Sequence, residues 1–129
     1  MKATDVRAFL EGTISGRELH SRVAAEAGTW AERLRERGRS APISLVGEIG
    51  PLDMSLERVV LLLDALIRTE LSPASFAYVL DALLLSDKVR WTREAAREQL
   101  EHLVIPDKGR IDMAHAWQAR ERLAAMKMK

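Results

Sequence analysis

At 129 residues, with 47% hydrophobic and 30% charged side chains, the chain suits one folded domain rather than a disordered segment. Its 20 basic and 19 acidic residues leave a formal charge of +1, without the basic excess that phosphate contacts demand of a dedicated nucleic-acid binder. The absence of cysteine excludes disulfides, thiolate zinc sites and cysteine nucleophiles, and it fits a reducing cytoplasm.

Residues 1–20 carry Asp5, Arg7, Glu11, Arg17 and Glu18 instead of an apolar signal core. The longest apolar run, 59–63, is far shorter than the roughly 20 residues a membrane span needs. The expectation is a cytoplasmic protein with no membrane partner.

In chain order, Thr4-Asp5 opens a short amphipathic helix bearing Val6, Phe9 and Leu10, and Gly12 stops it. Ser15-Gly16-Arg17-Glu18 has the form of a capping box before a helix with Leu19, Val23 and Ala27 on one face. Gly28 interrupts, and Thr29-Trp30-Ala31-Glu32 offers a second capping box, so a break or kink is predicted there before the helix ends at Gly38. Residues 38–54, punctuated by Gly38, Pro42, Gly47, Gly50 and Pro51, read as a long loop laid across the helices.

Ser55 caps the next helix, whose apolar residues spread nearly all round and predict the core helix. Ser72-Pro73 restarts the chain, with serine at the N-cap and proline at the first helical position. Trp91-Thr92 opens a further helix in which Trp91 packs on Ala96 as a hydrophobic staple. Pro106–Gly109 is a turn, and Ile111-Asp112 repeats the staple-and-cap pattern before the last helix. The strings Ser55–Asp64 and Ser72–Asp81 share a capping serine and Leu-Asp-Ala-Leu. Their offset matches no established repeat period, so the echo is read as a chance likeness of leucine-rich helices. The prediction is an all-α fold: a compact bundle of six or seven helices with one long loop near residues 38–54, in a single helical domain over residues 1–129.

Chemistry-bearing patterns are sparse. His20, His102 and His115 are far apart, and only Glu98 and His102 share a helix face, so no metal is expected. An EF-hand alignment on Gly109 puts Val104, Pro106 and His115 where oxygen ligands belong, so the calcium chemistry is absent. No nucleophile elbow, phosphate loop or dinucleotide fingerprint is present, and no cofactor is expected. Asp64 and Asp81 sit in very apolar helices where burial could raise a carboxyl pKa, or each could pair with an arginine such as Arg68. Arg33, Arg35, Arg37 and Arg39 form the one basic stretch, but Glu32 and Glu36 interleave with them at ion-pairing distances along a helix. Trp30, Trp91 and Trp117 would be interface hot spots if exposed, and core or staple residues otherwise.

The segment Phe9-Leu10-Glu11-Gly12-Thr13-Ile14-Ser15-Gly16-Arg17-Glu18-Leu19 resembles the opening of small helical colicin-like immunity proteins, where a short helix ends at a Gly-x-Ile-Ser turn and a second begins. That resemblance implies a protein that binds and blocks a toxin. Many such proteins are acidic. Here the acid is concentrated between residues 51 and 87, where six acidic residues face only Arg58 and Arg68, a local charge of −4 suited to steering a basic partner. The expected function is a non-enzymatic protein-interaction domain, an immunity protein or antitoxin, with Asp53, Glu57, Asp64, Glu70 and Asp81 as candidate partner-binding residues. The alternatives are a regulatory nucleic-acid-binding domain using Arg33, Arg35, Arg37 and Arg39, or a helical homo-oligomer.

Overall fold

A computed structural model of the protein describes residues 3–37, 52–86, 89–101, 103–105, 110–111 and 113–127. Among them are six helices: α1 (Ala3–Leu10), α2 (Gly16–Arg37), α3 (Leu56–Ile67), α4 (Pro73–Leu85), α5 (Glu94–Glu101) and α6 (Met113–Lys127). Four short strands accompany them: β1 (Leu52–Met54), β2 (Val89–Trp91), β3 (Val104–Ile105) and β4 (Arg110–Ile111). The fold is a compact helical bundle, as the capping and periodicity signals predict.

The N-terminal hairpin follows directly from its turn chemistry. Gly12 takes φ +81°, a left-handed conformation that glycine adopts without strain, and closes α1 with its amide on the Phe9 carbonyl at 3.0 Å. Ser15 then caps α2 by accepting the Glu18 amide at 3.1 Å. The Glu18 carboxylate turns outward to Arg22 (3.1 Å), and Arg22 also reaches Asp5 on α1 at 2.8 Å, tying the hairpin together.

Of the break or kink predicted at Gly28, the break does not occur: α2 is continuous from Gly16 to Arg37. The Thr29 hydroxyl donates to the Ala25 carbonyl four residues back (3.2 Å) instead of capping a new helix. Ala27 and Trp30 are buried on either side of Gly28, so packing outweighs the cost of about 1 kcal/mol that an interior glycine imposes.

Residues 38–51 of the predicted loop lie outside the described residues, but 52–54 are not loop. β1 pairs in parallel with β2, with Leu52 opposite Val89, Asp53 opposite Arg90 and Met54 opposite Trp91. The Thr92 amide extends the pairing by donating to the Met54 carbonyl at 3.1 Å. Trp91 is therefore a strand residue, and α5 begins at Glu94 rather than at the predicted Thr92. Trp91 is half-buried, with the Arg97 guanidinium 6.0 Å from its ring centre. Residues 106–109, where a turn is predicted, lie outside the described residues; the flanking strands β3 and β4 pair antiparallel.

Ser55 and Ser72 cap α3 and α4 as predicted, accepting the Arg58 and Ser75 amides at 3.3 and 3.1 Å, and Pro73 opens α4. α3 contributes Val59, Leu62, Leu63 and Leu66 to the core, but Leu61 remains exposed. α4 is the more enclosed helix, with every residue from Ser75 to Leu80 buried. Each fully buried leucine or phenylalanine contributes about 1.5–3 kcal/mol. The hydrophobic core joins α4 to Leu19, Val23, Ala27 and Trp30 of α2, and to Ala116, Ala119 and Leu123 of α6.

Among the described residues, the α3–α4 connection holds the one non-glycine residue at positive φ. Thr69 sits at φ +61°, unfavourable for a β-branched residue, because the chain must reverse there so that the Glu70 and Leu71 amides can both reach the Ala65 carbonyl. A Cβ on Gly16 would lie 3.0 Å from the Glu70 Cβ and 3.1 Å from that of Ala65, so glycine lets the start of α2 dock on this turn.

Candidate functional site

Two interhelical seams organise the molecule. In the first, α2 lies along α4, with Trp30, Ser75 and Tyr78 buried, His20 half-buried and Glu26 exposed at the margin. His20 Nδ1 is 2.9 Å from Ser75 Oγ. The Tyr78 hydroxyl donates to Glu26 at 3.0 Å, and the Trp30 and Tyr78 rings are 5.6 Å apart at 56°. Burial first, and the Glu26 carboxylate second, push the Tyr78 pKa up to about 12. Ser75 is 1% exposed, so a substrate cannot reach its hydroxyl, and the His20–Ser75 contact fastens two helices rather than arming a nucleophile. The Trp30 indole N–H is buried with no hydrogen-bond partner among the described residues.

The second seam joins α3 to α6 and is open to solvent. Arg120 Nε donates to Asp64 Oδ1 at 2.7 Å, with the two side chains 32% and 23% exposed. Leu61 lies three residues before Asp64, and Trp117 three residues before Arg120, which places each about one helical turn from the ion pair. These two residues are 37% and 56% exposed and are the exposed large hydrophobics among the described residues. On α6 the buried stripe is Ala116, Ala119 and Leu123, so position 117 turns away from the core. On α3, Glu57, Leu61, Asp64 and Arg68 fall along one edge at spacings of four, three and four. The result is a ridge with an ion pair at its centre and an apolar side chain on each helix beside it.

The predicted acidic residues do not form one surface. Asp53 and Glu57 are exposed at the start of the α3 edge, where the Asp53 carbonyl accepts from Arg58 at 2.8 Å. Asp64 is paired across the seam with Arg120 rather than with its helix neighbour Arg68. Glu70 is half-buried against Gly16, beside the first turn of α2, where a carboxylate complements the helix dipole. Asp81, half-buried at the far end of α4, makes no hydrogen bond or ion pair with a described residue, and burial raises its pKa above the ordinary 3.8. The side chains of Arg33, Arg35 and Arg37, and all of Arg39, lie outside the described residues, as does His102.

Among the described residues no group of three or more His, Asp or Glu side chains could hold a metal ion. No described helix is long and apolar enough to cross a membrane. Arg120 and Leu61 were not singled out by the sequence. Arg120 is separated from Asp64 by 56 positions, and nothing local signals that contact. The exposure of Trp117 was legible in principle, since it is out of phase with Ala116, Ala119 and Leu123. Comparison with known protein families, curated sequences and solved structures found no match.

Proposed function

We propose that this chain is a non-enzymatic protein-interaction domain of the immunity or antitoxin kind, acting by binding a toxin and covering its working surface. The contact face is the α3–α6 ridge. The observation that carries this reading is the exposure of Trp117 (56%) and Leu61 (37%) beside the Asp64–Arg120 pair. Tryptophan is the residue most enriched at interface hot spots, because its indole buries a large area with little loss of side-chain freedom. Asp64 and Arg120 neutralise one another at the centre. Along the α3 edge the exposed Arg68 follows Asp64 by one turn, and the exposed Glu57 precedes it by two turns, with Asp53 just before it. A partner fitting this edge presents an apolar pocket for the indole and a basic rim for the two acids. The resemblance of residues 9–19 to colicin-like immunity proteins supports the class of partner.

Co-expression with the products of the adjoining genes, followed by affinity capture and a toxicity-rescue assay, tests the reading. Capture of a neighbour whose toxicity this chain abolishes is the expected result. If nothing co-purifies and no neighbour is toxic, the reading falls.

A further inference from the structure

On its other flank α6 meets α5, and a cleft of about 310 Å³ opens between them. His115, Gln118, Ala119 and Arg122 line it from α6, following one helical stripe, with Gln99 from α5 and Leu103 just beyond that helix. Ala119 and Leu103 both face the cleft. Both are buried and form an apolar floor, 3% and 2% exposed. The rim is polar. Arg122 Nη1 donates to Gln99 Oε1 at 3.2 Å, which holds the guanidinium at the mouth and leaves its other N–H groups available. The same contact turns the Gln99 amide nitrogen, a donor, away from Arg122, and Gln118 adds a second carboxamide.

None of the described residues lining the cleft is a carboxylate. Of the acids nearby in sequence, Glu101 is occupied by Arg97, whose Nε lies 3.0 Å from it. The described lining therefore combines the Arg122 guanidinium, the His115 imidazole, two carboxamides and a small apolar floor. We propose that this cleft binds an alkyl carboxylate, its stem on Leu103 and Ala119 and its anionic end on Arg122 and the carboxamides. A single guanidinium matches a monoanion, and the apolar floor favours methylene groups over the fully polar surface of phosphate. This site is separate from the α3–α6 ridge and does not depend on it.

The test is a ¹⁵N NMR titration of the whole protein, following the Arg122 Nε–H and the Gln99 and Gln118 side-chain amides. The probes are glutarate, its neutral counterpart glutaramide, N-acetyl-glutamate N-methylamide and inorganic phosphate. Saturable shifts in these signals with glutarate or the glutamate derivative, and none with glutaramide, are expected. Tighter binding of the glutamate derivative assigns the natural ligand to a protein side chain, and tighter binding of glutarate assigns it to a free acid. Arg122→Gln alters an exposed residue and leaves the fold intact by circular dichroism. It should weaken binding by about tenfold or more, the loss of a charge-assisted contact. Equal shifts with glutaramide, stronger binding of phosphate, or unchanged affinity in Arg122→Gln would each overturn the proposal.

Discussion

The α2–α4 seam and the α3–α6 seam are built from the same kinds of side chain and treat them in opposite ways. In the first, a tryptophan is 4% exposed, packed on Tyr78 and leaving its own N–H without a described partner. In the second, Trp117 is 56% exposed beside an ion pair that is itself partly solvated. The twin aspartates of the two leucine-rich helices divide similarly. Asp64 finds Arg120 across its seam, while Asp81 is half-buried without a described partner. An inner seam that buries a tryptophan whose N–H has no described partner is given over to packing. An outer seam that leaves an indole in water has apolar area to spare for something else.

The largest effect should come from the inner tryptophan. Trp30→Ala should cost about 3 kcal/mol in chemical denaturation, near the lower end for an aromatic truncation, because it also removes a buried N–H without a partner. Trp30→Phe keeps most of the ring contact and discards that N–H, so it should cost less than about 1 kcal/mol. If the phenylalanine variant were as damaging as alanine, the indole N–H would have to be satisfied, and the contrast between the seams would weaken.

A gain is expected at the turn that links the two seams. Thr69→Gly removes a β-branched side chain from φ +61° and should stabilise the fold by about 1 kcal/mol, seen as a rise in Tm. A loss of stability would show that the Thr69 hydroxyl, which donates to the Arg68 carbonyl at 2.6 Å, matters more than the strain.

The twin aspartates give a smaller, pH-dependent effect. Burial raises the Asp81 pKa, so the folded state holds its proton to higher pH than the unfolded chain does. Its contribution is therefore most favourable at low pH and declines as pH rises through and above the ordinary 3.8. Asp81→Asn should raise the urea midpoint at pH 7 and leave it nearly unchanged at pH 3. An equal shift at both values would mean that packing, not ionisation, sets the effect.

What the sequence disclosed, and what it did not, follows from the range of the interactions. Ser15, Ser55, Ser72 and Pro73 act within one turn of their own positions, so the starts of α2, α3 and α4 were readable residue by residue. The parallel pairing of Leu52–Met54 with Val89–Trp91 was not, since three-residue strands carry too little alternation to register and their partners are remote in sequence. Gly28 misled because the burial of Ala27 and Trp30 against other helices overrides local propensity. At the ridge, Asp64 was visible as a charge in an apolar helix, but its partner Arg120 depends wholly on how α3 and α6 pack. The cleft was illegible for the same reason: it depends on how α5 and α6 pack, and neither Ala119 nor Leu103 is unusual alone.

On the proposed reading Trp117 adds nothing to the fold and serves contact with a partner, and Trp117→Ala measured two ways decides between surface and core. Its free energy of unfolding should match that of the parent within about 0.5 kcal/mol, as for a surface substitution, while capture of the partner is lost. A variant that still captures the partner, or one destabilised by about 2 kcal/mol or more, would contradict the account and return Trp117 to the core.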